Sequence, residues 1–174
     1  MKTENTMNEL IEQFEGFQRE FQTRARAEIS KMFEKFWELN PGINAVVWTQ
    51  YAPYFNDGAP CTFSVKDCVF TNAIEPEDLD QIRWEDYDGE KEDIWACTHW
   101  GLKYLENAAN RLNVEDLDLL RRPEGINKGS MAALSKMLCN SAFEGPMLGM
   151  FGDDNRVIAT RDGFQVEDYS GNHD

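Results

Sequence analysis

No stretch of this 174-residue chain approaches the ~20 consecutive apolar residues that a membrane-spanning helix requires. The opening residues, Met1-Lys2-Thr3-Glu4-Asn5, also lack the apolar run of a secretory signal, so a cytoplasmic setting is the expectation. Cysteine is scarce and dispersed: Cys61, Cys68, Cys97 and Cys139 lie far apart, which favours reduced, mostly buried thiols over a disulfide framework. Basic residues are few as well. The 17 Lys and Arg stand against 32 Asp and Glu, for a net charge of −15. A protein that grips nucleic acid through its phosphates presents a Lys/Arg patch, because neutralising phosphates and releasing counterions supplies much of the affinity. This chain has no such patch, and direct nucleic-acid binding is not expected.

Motifs that carry chemistry are missing too. Cys97-Thr98-His99 sets two candidate ligands close together, but Cys61, Cys68 and Cys139 are isolated, whereas structural zinc sites bring their ligands in close pairs. Asp86-Tyr87-Asp88-Gly89-Glu90 looks like an acidic calcium loop. Aligning Gly89 with the invariant glycine of such a loop puts Trp84 and Trp95 at its first and last ligand positions, where neither offers an oxygen. There is no Gly-x-Ser-x-Gly, no glycine-rich phosphate cradle and no His-Glu-x-x-His. The reading therefore leans away from an enzyme and implies no metal or cofactor. One catalytic alternative stands: a small hydrolase-type enzyme using His99 with a carboxylate whose pKa is raised by burial.

What is present argues for one folded domain over 1–174. Apolar residues make up 41% of the chain and aromatics 12%, and a chain of this length buries about 70% of the surface its unfolded form exposes. Met7, Leu10, Phe14, Phe17, Phe21, Ala25, Ile29, Met32 and Phe36 recur at intervals of three and four, the signature of one amphipathic helix within 1–40. Capped by Asn5 or Thr6 and ending at Leu39 before Asn40-Pro41-Gly42, it spans ~33 residues, or about 50 Å. That length exceeds a typical domain, so its first half is expected to project and pack against a second copy or a partner while the aromatic-heavy second half covers the core, and residues 7–36 form a candidate homodimer surface.

Ile43 to Tyr51 and Cys61 to Lys66, separated by Pro53 and Asn56-Asp57-Gly58, read as a first hairpin over 43–71, with Val69 to Thr71 extending its second strand. Helical spacing returns from Ile94 and continues, with breaks, to Phe143, giving helices over 94–143; the last runs Ser130 to Phe143 with Met131, Leu134 and Leu138 inward, ended by Glu144-Gly145-Pro146. Arg156 to Thr160 and Phe164 to Tyr169 flank Arg161-Asp162-Gly163 as a second hairpin within 154–169. The expected fold class is α+β: a long N-terminal amphipathic helix and further helices packed on one face of a roughly four-stranded antiparallel sheet.

Two segments stand out as surfaces. From Glu75 to Asp93 ten acidic residues face only Arg83 and Lys91, so this stretch alone carries −8. Its carboxylates, Glu77, Asp78, Asp80, Glu85, Asp86, Asp88, Glu90, Glu92 and Asp93, interleave with Trp84 and Tyr87 and are followed by Trp95, a pattern able to imitate a run of phosphates and to attract a basic protein. The plainer reading is a solubilising face. The aromatic loop from Trp48 to Gly58 adds Tyr54 and Phe55 as candidate anchors, against the plainer reading that they pin the hairpin to the core.

Trp48-Thr49-Gln50-Tyr51, Tyr54-Phe55-Asn56-Asp57-Gly58 and Cys61-Thr62-Phe63-Ser64-Val65 resemble stretches of a family of small acidic proteins from T4-like bacteriophages and bacteria. So do Phe151-Gly152-Asp153, Val157 to Phe164, Val166-Glu167 and the His173-Asp174 end, about a third of the chain in all. The resemblance implies a phage-encoded or bacterial cytoplasmic protein and carries no catalytic residue. Together these readings lead to a non-enzymatic acidic binding protein that engages or inhibits a basic host protein, a nucleic-acid-handling or defence factor. The alternatives are the His99 enzyme and a structural homodimer built on the long first helix.

Overall fold

The computed structural model describes residues 2–53, 61–66, 68–75, 78–79, 95–98 and 123–169. The first helix, α1, runs Lys2–Leu39, 38 residues or about 57 Å. It contains no proline and a single glycine, Gly16, at which it continues unbroken. It begins before the expected cap and ends where expected, because the residue preceding a proline is pushed out of helical geometry. Four carbonyls at this end are taken up by one side chain. The Arg161 guanidinium donates to the oxygens of Trp37, Asn40, Pro41 and Ile43 at 3.1–3.2 Å, and lies over the Trp37 ring at 5.4 Å.

Beyond α1 the chain enters β1 (Ala45–Tyr51), the centre of an antiparallel sheet in the order β4-β3-β1-β5-β6, with β2 also paired to β1. The other strands are β2 (Ser64–Val65), β3 (Val69–Thr71), β4 (Ala96–Thr98), β5 (Asn155–Thr160) and β6 (Gly163–Asp168). Among the described residues six strands replace the expected four, for two reasons. The second strand of the first hairpin is split: Gln50 faces Val65 while Val47 faces Val69, so one extra residue is accommodated between the two pieces, as in a β-bulge.

The other reason is a correction. Residues 96–98, expected to lie in a helix starting at Ile94, form a strand against β3, with Phe70 opposite Cys97. Without it β3 would leave a row of unpaired backbone groups at the sheet edge. Asn72 fixes the pairing: its backbone N–H donates to the Trp95 carbonyl at 3.1 Å and its side-chain oxygen accepts from the Trp95 N–H at 2.6 Å. Alternation then sends Cys97 toward the helix-covered face and Ala96 toward the other. Partial burial pushes the Cys97 thiol up to about 11.

Helix α2 (Lys128–Leu138) is capped by Asn127, whose side-chain oxygen accepts from the Ser130 N–H, and it buries Met131, Leu134 and Leu138 as expected. A 3₁₀ turn over Ser141–Phe143 follows, and then α3 (Glu144–Phe151). This second correction reverses the reading of Glu144-Gly145-Pro146, which opens a helix instead of ending one. Proline is tolerated in a first turn because its missing N–H would have no intrahelical partner there. The C-terminal hairpin is as expected, with Thr160 facing Gly163 and Gly163 at φ 135°.

The described helices pack on one face of the sheet. Ile29, Phe33, Phe36 and Trp37 of α1 meet Trp48, Phe70, Val157 and Ala159 of the sheet, with Met131, Leu138, Met147 and Phe151 closing the layer. Phe33 alone touches three rings, Trp37, Trp48 and Phe164, at centroid distances of 5.1–6.1 Å. The opposite face carries a smaller cluster of Ala45, Val47, Val69 and Ile158 beneath Ala73 and Leu79. Of the thiols, Cys68 is buried, but Cys61 and Cys139 are exposed, against expectation. Cys139 follows the last buried residue of α2, Leu138, at the point where that helix ends.

Candidate protein-docking surface

The buried side chains of Gln50 and Asn40 are matched to partners, which makes them scaffold. Gln50 is fully buried; its side-chain nitrogen donates to the carbonyls of Met147 and Gly152, and its oxygen accepts from the Trp48 indole at 3.2 Å. Asn40, equally buried, donates to the Phe36 carbonyl at 2.8 Å and accepts from the Asn127 N–H at 2.7 Å. Gly42 passes so close to Glu124 that a Cβ there would lie 2.1 Å from the Glu124 oxygen, so the loop before α2 is pressed onto the end of α1. These contacts hold the C-terminal half of α1 rigidly on the domain.

The N-terminal half behaves differently. Gln22 reaches the Gly145 carbonyl of α3 at 3.5 Å and sits against Gly149. Before it, Met7, Leu10, Ile11, Phe14, Phe17 and Phe21 are all large, apolar and exposed, between 49% and 69%. After it, Ile29, Phe33, Phe36 and Trp37 fall to 7% or less. At 3.6 residues per turn the exposed stripe is centred about 100° around the axis from the buried one. One helix thus carries two apolar faces in succession: the second is spent on the domain's own core and the first is turned to solvent.

Polar pairs support the exposed half without covering that stripe. Glu15 pairs with Arg19 at 3.7 Å and Glu20 with Arg24 at 2.5 Å, each one turn apart, adding a few tenths of a kcal/mol apiece to the helix. Nearer the body Lys31 meets Glu28 at 2.8 Å, and this hydrogen bond and its charge raise the Lys31 pKa. The homodimer surface anticipated over residues 7–36 is therefore too long. Ile29, Phe33 and Phe36 are core, and the free part is 7–21.

Most residues expected at the acidic face, Glu77, Asp80, Trp84, Glu85, Asp86, Tyr87, Asp88, Glu90, Glu92 and Asp93, lie outside the described residues, as do Tyr54, Phe55 and His99. Asp78 is described: it is half-buried, and its N–H donates to the Glu75 carbonyl at 3.0 Å. Beside it Leu79 is buried against the sheet and its carbonyl accepts from Arg156, which also pairs with Glu167 at 3.2 Å. At the other end Trp95 is buried and tied to Asn72. Both flanks of the acidic segment are thus fixed to one sheet. Trp48 is core, and Tyr51 stacks on Tyr169 at 5.8 Å beneath the Lys66 ammonium.

That the first half of α1 projects and the second covers the core is as expected from the sequence; that the two apolar stripes lie on different faces of the helix is not, although a signal for it exists. Residues 7, 10, 14, 17 and 21 alternate three and four, a period of 3.5, while Ala25, Ile29 and Phe33 step by four. A change of phase at Gln22 marks the change of partner. Among the described residues no helix is long and apolar enough to cross a membrane, and no group of three or more His, Cys, Asp and Glu could hold a metal ion. No protein-family model matches this chain, and neither a curated protein nor a solved structure does.

Proposed function

We propose that this is a non-enzymatic binding protein that works through its outer surfaces and engages a basic protein. The observation that carries the binding part of this reading, as distinct from the charge of the partner, is the row of six large apolar side chains held in solvent on the first half of α1. Monomeric proteins rarely expose contiguous apolar patches beyond a few hundred Å², and larger ones mark contact sites. The net charge of −15, with −8 concentrated in residues 75–93, supports a positively charged partner, because complementary potentials speed encounter and repel acidic competitors. The resemblance to T4-like phage proteins is the ground for taking that partner to be a host nucleic-acid-handling or defence protein, with the carboxylates standing in for phosphates.

The test is charge reversal. A variant carrying Glu77→Lys, Asp86→Lys, Asp88→Lys and Glu90→Lys should recover far less of any basic host protein than the unaltered chain, and what it does bind should respond less to added salt. Recovery of the same partners at the same salt by both versions would remove the acidic-face reading.

A further inference from the structure

We propose that the occupant of the exposed α1 stripe is a second copy of this chain, paired through residues 7–21 as a short two-stranded coiled coil. The inference rests on the reading above that the stripe is a protein-contact surface, and three observations select the occupant.

Spacing comes first. Met7, Leu10, Phe14, Phe17 and Phe21 repeat three-four-three-four, the a/d pattern of helices that pack side by side with knobs in holes. Such a pattern asks for another helix of the same period, and this chain supplies one.

Area comes second. A phenylalanine buries about 150–250 Å², so the three in the stripe, 57–69% exposed, each leave roughly 100–150 Å² open. With Met7, Leu10 and Ile11 the stripe offers on the order of 600–700 Å² per copy, close to the ~800 Å² per partner of a stable interface.

Charge decides between a copy and a basic partner. The positions flanking the seam are Thr6, Ile11, Gln13, Gln18 and Glu20, with one charge among them, while Glu9, Glu12, Glu15 and Arg19 fall on the outer side of the helix. A partner chosen for its positive charge would find almost nothing to recognise beside the seam. A second copy, repelled by a −15 body elsewhere, finds flanks that do not repel it. The pairing stops where Gln22 meets α3, which limits it to about two heptads and makes the association reversible.

Sedimentation of the full chain over a wide dilution series tests this. The unaltered chain should approach twice its 20.1 kDa mass on concentration, and added salt should strengthen the association by screening the repulsion between like-charged bodies. The double variant Phe14→Glu, Phe17→Glu should stay at the chain mass with unchanged far-ultraviolet dichroism, and Leu148→Glu, an exposed site on α3, should still dimerise. An unaltered chain at the single-chain mass throughout, or a double variant that still pairs, overturns the inference. The two readings fail separately. Loss of a host partner by the Phe14→Glu, Phe17→Glu chain, with the unaltered chain monomeric, would assign the seam to that partner and leave the binding reading standing.

Discussion

Arg161 shows how one residue can decide whether two ends of the chain meet. It sits in the turn of the C-terminal hairpin, yet its guanidinium closes the end of α1 by donating to four carbonyls there, two of which, those of Trp37 and Asn40, also accept from the backbone N–H groups of Asn40 and Ile43. Cation placement at a helix C-terminus is favourable in itself, and the planar fork suits several acceptors at once. Replacing it by alanine removes all four bonds and the cover over Trp37, and should cost about 1–3 kcal/mol, read as a lowered urea midpoint with unchanged slope. Lysine should restore only part, because its single ammonium cannot span the acceptors. The sequence displays Arg161 as a turn residue; its reach of 121–124 positions back to Asn40 and Trp37 is a property of the fold. Gln50 and Asn40 were hidden in the same way. Gln50 is a polar residue closing an apolar strand and Asn40 reads only as a helix-end residue, and the carbonyls they satisfy are visible only in the assembled core.

At the scale of elements, α1 carries the clearest internal contrast. Phe33 and Phe14 are the same residue on the same helix, one buried among three aromatic rings and the other 62% exposed. Phe33→Ala should cost about 3–5 kcal/mol, the usual loss for an aromatic taken out of a core. Phe14→Ala, measured by denaturation at concentrations low enough to keep the chain single, should stay within about 0.5 kcal/mol. Equal losses at the two sites would mean that the first half of α1 is packed on the domain. Much of the element plan was legible: the long helix, the two hairpins and the inward face of α2 follow from period and turn residues. What was not legible depends on neighbours. Ala96–Thr98 is a strand because β3 needs an edge partner, and Glu144-Gly145-Pro146 starts a helix because a first turn can dispense with the proline N–H.

For the whole molecule, charge and apolar exposure pull in opposite directions. A body at −15 resists association with its own kind, while a stripe of six exposed apolar residues favours contact. The conflict is resolved in space: the stripe is carried out along the first half of α1, beyond the helix's first contact with α3 at Gln22, and its flanks are nearly uncharged. Net charge was readable at once from composition, and so was the division of α1 into a projecting half and a core half; the residue at which core contact ends was not, since that depends on where α3 meets α1. Backbone hydrogen exchange over α1 is the most direct test. Amides of residues 7–21 should exchange quickly in dilute protein and slow markedly on concentration, while those of 29–37 stay protected throughout. Exchange over 7–21 that is fast at every concentration would contradict the claim that this half of the helix pairs with a second copy, and exchange as slow as that of 29–37 at every dilution would contradict the claim that it is a free docking surface.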